Sequence, residues 1–564
     1  MTFDSAAFKQ QFPLFAHPEN VQLVYLDNAA TTQRPQCVID AMSDFYSRYN
    51  ANTHRSSHRL ARAATEMVER VRQQAADFLN ARSRHDIIFT RGATEALNLL
   101  AQSLAKTLSP GDQILLSAAE HHANLVPWQM VAEQHQLQLV FLPDHQGTPQ
   151  LEQLPQLLTD RTKVVALTAA SNALGVRVPV ETVKAQLPSE CYLVVDASQR
   201  LAHETIDVQA WGCDFLVGSA HKFYGPTGIG LLYGNAQSLA QLPPWQGGGE
   251  MITRVRLDSS DYAAAPHRFE AGTSSLAAIA GLGACLTFLA GQDRQAMATY
   301  EAHLNRYLHS ELTRLTATLP LKLLTRHEHN MGIAALVCTA GSELSVSDLG
   351  HWLDEHDIAV RVGHHCAQPL MDSLGETGSL RISLAAYNSR ADVDALIQAL
   401  EQAPFGDQGA AAVTSGSDSW LGDDLSGIAV ADLAAQTSWQ KRYRQLTRWA
   451  TLLQPKPQIR QEQHRVHGCE SEVWMVHQQQ GDRHRFAIDT DSRVIQGLSI
   501  LLLLLLNDKT AAEIRAVNVP RTFAELGLEK YLSESRSNGF RALLEQMLSY
   551  LPEDDCVGAA KAPT

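Results

Sequence analysis

No apolar run in this chain is long enough to cross a bilayer. The longest, residues 498–506, falls well short of the roughly 20 residues a membrane helix needs and reads as a core helix. None of the eight cysteines, at positions 37, 191, 213, 285, 338, 366, 469 and 556, forms a CxxC pair, so no zinc or iron–sulfur knuckle is expected. Eight are also sparse for a disulfide-built protein of 564 residues. Positive charge is in deficit: Lys+Arg 46 against Asp+Glu 60 gives a net charge of -14 and no support for a general nucleic-acid surface. The start of the chain lacks a basic segment followed by an apolar one, so no secretory signal is expected and a cytoplasmic, reducing location is the default.

What is present is length for more than one domain and a repeated strand–helix rhythm. Residues 1–20 read as a short amphipathic helix ended by Pro13, and residues 61–80 as a longer one. Short apolar runs at 87–89, 113–116, 137–141, 164–167, 192–195, 215–218 and 229–233 alternate with helical stretches, which points to a largely parallel sheet. Ligands in such sheets gather beyond the carboxyl ends of the strands. His121, Asn172, Asp196 with Gln199, and His221 with Lys222 all fall at such ends.

Asp196 and Lys222 suit one cofactor, pyridoxal phosphate: the lysine can bind it covalently and the acid can keep its ring nitrogen protonated. The plain alternative is a turn-capping acid and a solvated lysine. TRGATEALN, residues 90–98, is a strand–glycine turn–helix start whose amides and Thr94 hydroxyl would suit a phosphate, although a simple helix cap has the same pattern and no Walker motif is present. The polar segment 50–61, with His54, Arg55, His58 and Arg59, lines an anionic site or is a solvated loop. Residues 276–400 suggest helices and a smaller sheet, with Cys366 in the loop of AVRVGHHC and Arg381 on a following strand.

Near residue 405 the composition turns small, polar and acidic, as in a linker. Beyond it, helical patterning at 433–453, alternation at 473–476 and 484–488, and further helices to about 550 describe a small α+β domain. Cys469 follows a glycine on a polar turn, as Cys366 lies just beyond Gly363. Cys37, Cys191, Cys213, Cys285 and Cys338 sit in apolar or helical surroundings and read as small core residues.

LDNAATTQRP, TRGATEALN, EHHANLVPW, SNALG, DASQ, SAHKFYGPTGIG, FEAGTSS, RVGHHCAQP and LRISLAAYN together resemble a cysteine desulfurase of the SufS/CsdA type, in the class V aminotransferase family. WQKRYRQL, HGCESEVW, DSRVIQGL and ELGLEKYLSESRSNG resemble the SufE/CsdE sulfur acceptors. The resemblance implies α/β architecture: a pyridoxal-phosphate fold type I large domain (about 20–275) with a small α/β subdomain (from about 276, plus the N-terminal segment), ending near 404. A linker at 405–424, a separate α+β SufE-like domain at 425–550 and a tail at 551–564 follow.

The resemblance also implies roles. Lys222 would carry pyridoxal 5'-phosphate, Asp196 would pair with its ring nitrogen, Gln199 would bond near its phenolic oxygen and His121 would stack on its face. Thr94, Ser219 and His221 would hold its phosphate. Thr273 would reach the phosphate of a second subunit, which implies a homodimer. The FEAGTSS turn has Ser274 where a proline is common. Asn172 and Arg381 would hold the carboxylate of L-cysteine. Cys366 would take the sulfur as a persulfide and Cys469 would accept it, for iron–sulfur cluster assembly through a downstream acceptor or scaffold protein. No direct nucleic-acid or membrane partner and no metal are implied. His121, rather than His364 or His365, is expected to handle protons. An ordinary thiol titrates near ~8.5, so the Cys366 loop must assist it. A selenocysteine lyase, another class V enzyme and a non-enzymatic sulfur-carrier scaffold remain the alternatives.

Overall fold

The structure is a computed structural model that describes residues 3–53, 58–340, 342, 344–405, 423, 425–436, 439–450, 452–467, 472–490, 492–528 and 534–552. The chain divides into two compact units, Met1–Ala340 with Gly350–Ala403, and Pro404–Thr564 with Gly341–Leu349.

The first unit is built on seven strands: β1 (Ile87–Thr90), β2 (Gln113–Ser117), β3 (Gln138–Leu142), β4 (Thr162–Thr168), β5 (Tyr192–Asp196), β6 (Phe215–Ser219) and β7 (Gly230–Gly234). Their spatial order is β1-β7-β6-β5-β4-β2-β3. Strands β6, β5, β4, β2 and β3 run parallel, while β7 is antiparallel to both β1 and β6. Six of the seven strands therefore share one direction, the largely parallel sheet expected, and β7 alone is reversed. The strands read as continuous apolar runs because both faces are covered. Leu115, Val165, Leu193, Val195 and Leu216 enter one core, whereas their neighbours Ile114, Val164, Val194 and Val217 enter the other.

Helix α1 (Arg59–Leu79) lies on the first core. It starts at His58, whose Nδ1 accepts from the Ala61 amide at 3.2 Å, and ends at Asn80 with φ 53. Its inward stripe of Ala61, Ala64, Val68, Val71, Ala75 and Leu79 follows helical spacing. Helix α2 (Ala93–Ala105) covers the second core. Helix α3 (Leu276–Ala290) is buried along most of its length, and a Cβ on Gly283 would meet Val71 at 2.5 Å, so α1 and α3 approach this closely only with glycine there. Arg72, fully buried on α1, grips Glu270 with both arms at 2.6 and 2.9 Å, while Glu270 also accepts from the Phe89 amide at 2.7 Å. This pair locks α1 and β1 to the FEAGTSS turn.

The smaller part of the first unit carries α4 (Arg294–Thr316) and an antiparallel sheet of β8 (Leu321–Leu323), β9 (Ile333–Cys338), β10 (Arg361–Gly363) and β11 (Ser379–Ser383), in the order β8-β9-β11-β10. The register pairs Arg361 with Arg381 and Gly363 with Ser379. The N-terminal segment forms α-helix at Ser5–Lys9, followed by a 3-10 turn at Pro13–Ala16, so the regular helix ends ahead of Pro13, a little shorter than expected; Phe8 and Phe12 are buried.

The second unit pairs an antiparallel hairpin, β12 (Val473–Gln480) and β13 (Arg483–Thr490), and packs helix α6 (Arg493–Leu506) against α5 (Trp439–Ala450). The leucine run is this unit's core: Leu498, Leu501, Leu502 and Leu506 are inaccessible to solvent. Lys456 Nζ lies 2.8 Å from both Asp423 oxygens, and both side chains are almost wholly buried. No single helix among the described residues is long and apolar enough to cross a membrane.

Candidate active site

Strand ends build the site. Strand β5 ends on Asp196, β6 ends on Ser219 and runs into the short turn Ala220–Lys222, and β2 is followed by Glu120 and His121. A cavity of about 240 Å³ is lined by Thr94, His121, Asn172, Asp196, Ser219, His221 and Lys222 from the larger part, and by Arg361, His365, Cys366 and Arg381 from the smaller. Nine of the residues expected from the sequence thus line one cavity.

Lys222 is the amine of this cavity. Burial lowers its pKa, against the opposing pull of Asp196, and the charge of Arg381 lowers it further. The Asp196 Oδ1 accepts from the Ser198 amide at 2.9 Å, which fixes the carboxylate. Burial, then the charge of Lys222, pushes His121 down to about 4. Its Nδ1 accepts from the Ala123 amide at 3.0 Å, so in the neutral ring Nε2 carries the proton. His221 is also pushed down to about 4, by burial and then by Lys222. Behind His121, Glu120 is buried and accepts from Ser117 Oγ at 2.8 Å and Asn124 Nδ2 at 2.7 Å; burial raises its pKa to about 7.

At one end of the cavity, α2 begins at Gly92 without a side-chain cap, and Ser219 Oγ takes the Ala93 amide at 2.8 Å. A Cβ on Gly230 would meet Gly92 Cα at 2.6 Å, so β7 must carry glycine for the turn to sit here. Thr94 is exposed at this helix start. An open helix N-terminus with an adjacent hydroxyl is suited to a phosphate.

At the other end, Arg381 is almost wholly buried. It donates through Nη1 to Asn172 O at 2.9 Å and through Nη2 to Asp27 Oδ1 at 3.0 Å. Asp27 also accepts from Arg361 at 3.1 to 3.2 Å. Asn172 Nδ2 donates to His365 O at 2.6 Å. Cys366 is exposed in the cavity wall. Its amide donates to His364 Nδ1 at 3.2 Å and its carbonyl accepts from the His122 amide at 2.7 Å, with both His365 and Cys366 at φ 55. A free thiol, an amine and a guanidinium thus line one space.

Several expectations fall elsewhere. Gln199 does not line the cavity; its Nε2 donates to Ala29 O at 2.9 Å and so braces a lining residue. Thr273 is exposed and lines a different cavity of about 380 Å³ with Phe89, Arg91 and Glu95. Cys37 is exposed, which corrects its reading as a core residue: on its helix Val38 takes the buried position. Cys191, Cys213 and Cys285 are buried, and Cys338 is half-buried. His58 caps α1. Cys469, Cys556, His54, Arg55 and most of the 405–424 linker lie outside the described residues. The flanks of Cys469 are held by a bridge between Arg465 and Trp474, a 2.8 Å bond from the Val466 amide to Val473 O, and a 3.2 Å ion pair of Arg465 with Glu472. Sequence reasoning missed Asp27, Glu120, Arg361 and a lining role for His365. The pairing of Arg361 with Arg381 was the one available signal, and it needed the register.

Residues 24–396 match the family model described as aminotransferase class-V, and residues 428–551 match that of an Fe-S metabolism associated domain, SufE. A probable cysteine desulfurase of Vibrio cholerae is 44% identical over 407 residues, covering 72% of this chain and 99% of its own length. A cysteine desulfurase of Serratia proteamaculans is 42% identical, covering 71% and 98%. Among solved structures, the cysteine desulfurase CsdA of Escherichia coli, in an S-sulfonic acid form, matches with a TM-score of 0.65 at 38% identity, covering 71% of this chain and 98% of that one.

Proposed function

Because the chain belongs to the class-V aminotransferase family and carries a SufE-type domain after it, we propose that it is a pyridoxal-phosphate-dependent cysteine desulfurase joined to its own sulfur acceptor. It converts L-cysteine to L-alanine and passes the sulfur from Cys366 to Cys469, for iron–sulfur cluster assembly or another sulfur pathway. One observation carries the reading: Lys222, Asp196, Arg381 and Cys366 line a single cavity. An aminotransferase would need the first three and have no use for the thiol.

The residues fit the cofactor. An amine of lowered pKa and a fixed carboxylate stand at adjacent strand ends, and an uncapped helix start lies on the same cavity. When bound, pyridoxal phosphate supplies an electron sink that acidifies the substrate Cα–H. Lys222, disposed by burial to be neutral, can take that proton at Nζ. Arg381 binds the substrate carboxylate with a planar fork, supported by Asn172. His121 holds a proton on Nε2 and can donate it to a developing anion. Cys366 Sγ then takes the substrate sulfur: an S–S bond forms as the carbon–sulfur bond breaks, and the carbon keeps the electron pair. Attack of Cys469 on the outer sulfur is an exchange of the thiol–disulfide type. The tether between the two domains gives the acceptor an effective concentration on the order of mM where its reach allows. Thr273, exposed and away from the Lys222 cavity, fits an assignment to the cofactor of a second copy in a homodimer.

The test is mass measurement of the domains after addition of L-cysteine. Sulfur on a Cys469-containing fragment of the wild type, and none in Cys366→Ser, is the expected result. A holoenzyme that forms no alanine from L-cysteine sinks the reading.

A further inference from the structure

Two side-chain atoms in the wall of the Lys222 cavity are buried without a hydrogen-bond partner, His365 Nδ1 and Arg381 Nε. They are complementary. His365 Nε2 lies 2.9 Å from Ser379 Oγ and 3.1 Å from Ser379 O. A carbonyl oxygen only accepts, so Nε2 carries the ring proton and Nδ1 presents a lone pair. Arg381 Nε can only donate.

Their placement on the fold matches as well. Ser379, which holds the imidazole, and Arg381 are two residues apart on β11 and so project to one face. Gly363, two residues before His365, pairs with Ser379. Both residues line the same cavity. Burial, followed by the charge of Arg381, pushes His365 down to about 3, so the ring is neutral at working pH and remains an acceptor. An orphaned buried donor or acceptor is destabilising, and two orphans of opposite type on one cavity lose that penalty by meeting.

We propose that His365 is a positioning residue for Arg381: its Nδ1 accepts the Arg381 Nε–H when the cavity takes a carboxylate ligand, and this aims the guanidinium. With Nη1 on Asn172 O and Nη2 on Asp27, one N–H on each terminal nitrogen remains for the ligand's two oxygens. The imidazole thus acts on substrate only through the arginine. The inference rests on the proposed function in assigning Arg381 to a substrate carboxylate.

The experiment titrates holoenzyme absorbance with L-alanine and with ethylamine, which has the amine and methyl but no carboxylate. His365→Leu is expected to weaken L-alanine by ~10-fold or more and ethylamine by less than about twofold. His365→Asn, which returns an acceptor near the Nδ1 position, restores most of the L-alanine affinity. If His365→Leu does not retain the cofactor, His365→Gln serves in its place, since it keeps the Ser379-side donor and lacks the other acceptor. Equal weakening of both ligands, or no change in either, overturns the proposal. Neither ligand requires desulfuration, so a wild type that makes no alanine from L-cysteine sinks the functional reading while the affinity ratio still decides the role of His365.

Discussion

The N-terminal unit sandwiches a seven-stranded sheet between two apolar cores, whereas the C-terminal unit relies on one leucine-rich helix with a neighbouring helix and a hairpin. In the first, side chains at separate strand ends meet in one cavity, and most are fixed by hydrogen bonds to a backbone or a carboxylate. In the second, the proposed acceptor thiol sits between flanks tied by one bridge and one exposed ion pair. The difference follows the tasks. Breaking a carbon–sulfur bond needs several groups aligned on one substrate, which a broad rigid sheet provides. Receiving a sulfur atom needs one thiol with access.

The comparison is tested most severely by the two thiols. Cys366→Ser should lower alanine formation from L-cysteine by roughly 10³-fold or more, since it removes the proposed nucleophile. Cys469→Ser, with excess reductant, should leave alanine formation within about twofold while sulfur disappears from the C-terminal fragment. Comparable losses in both would mean that the units do not divide the work.

Stability should divide in the same way. Arg72→Met leaves Glu270 buried without its partner, and about 3–5 kcal/mol should be lost from the first unit. Leu501→Ala opens a cavity in the second core at a loss of about 2–5 kcal/mol. Calorimetry of each variant should move one transition and leave the other; a shift of both together would make the chain a single cooperative body.

The smallest effect concerns pH. Glu120 has its folded pKa raised from 4.5 to about 7. Its stabilising contribution is therefore complete below 4.5 and lost as pH rises through about 7. Glu120→Gln, which imitates the neutral acid, should be the more stable protein at pH 8 by on the order of 1–3 kcal/mol and should converge with wild type near pH 4.5. Thermal midpoints across that range read the difference, and parallel curves for the two proteins would remove Glu120 as a titrating group.

Much of this was legible in the residues. Asp196 and Lys222 stood out because an apolar run leads to each, ending on Asp196 itself and at Ser219 just before Lys222, and burial on both faces makes such runs long. The antiparallel direction of β7 was not visible, since the ten-residue connection at 220–229 carries no direction of its own. Cys37 misled because helical surroundings say nothing about which face a residue takes; Val38 beside it took the inside. His365 read as half of a loop pair until the register of β10 and β11 put it against Ser379. Thr273 cannot be read from one chain if its partner is another.

The chain from Gly363, fixed in its ladder with Ser379, to Cys366, whose carbonyl is tied to the His122 amide, is a ruler three residues long. Each residue extends the backbone by at most about 3.6 Å. An insertion here cannot be absorbed as slack, because both ends are fastened. The loop should therefore tolerate changes of side chain far better than changes of length, and engineered variants that lengthen it should keep their cofactor and lose their sulfur chemistry.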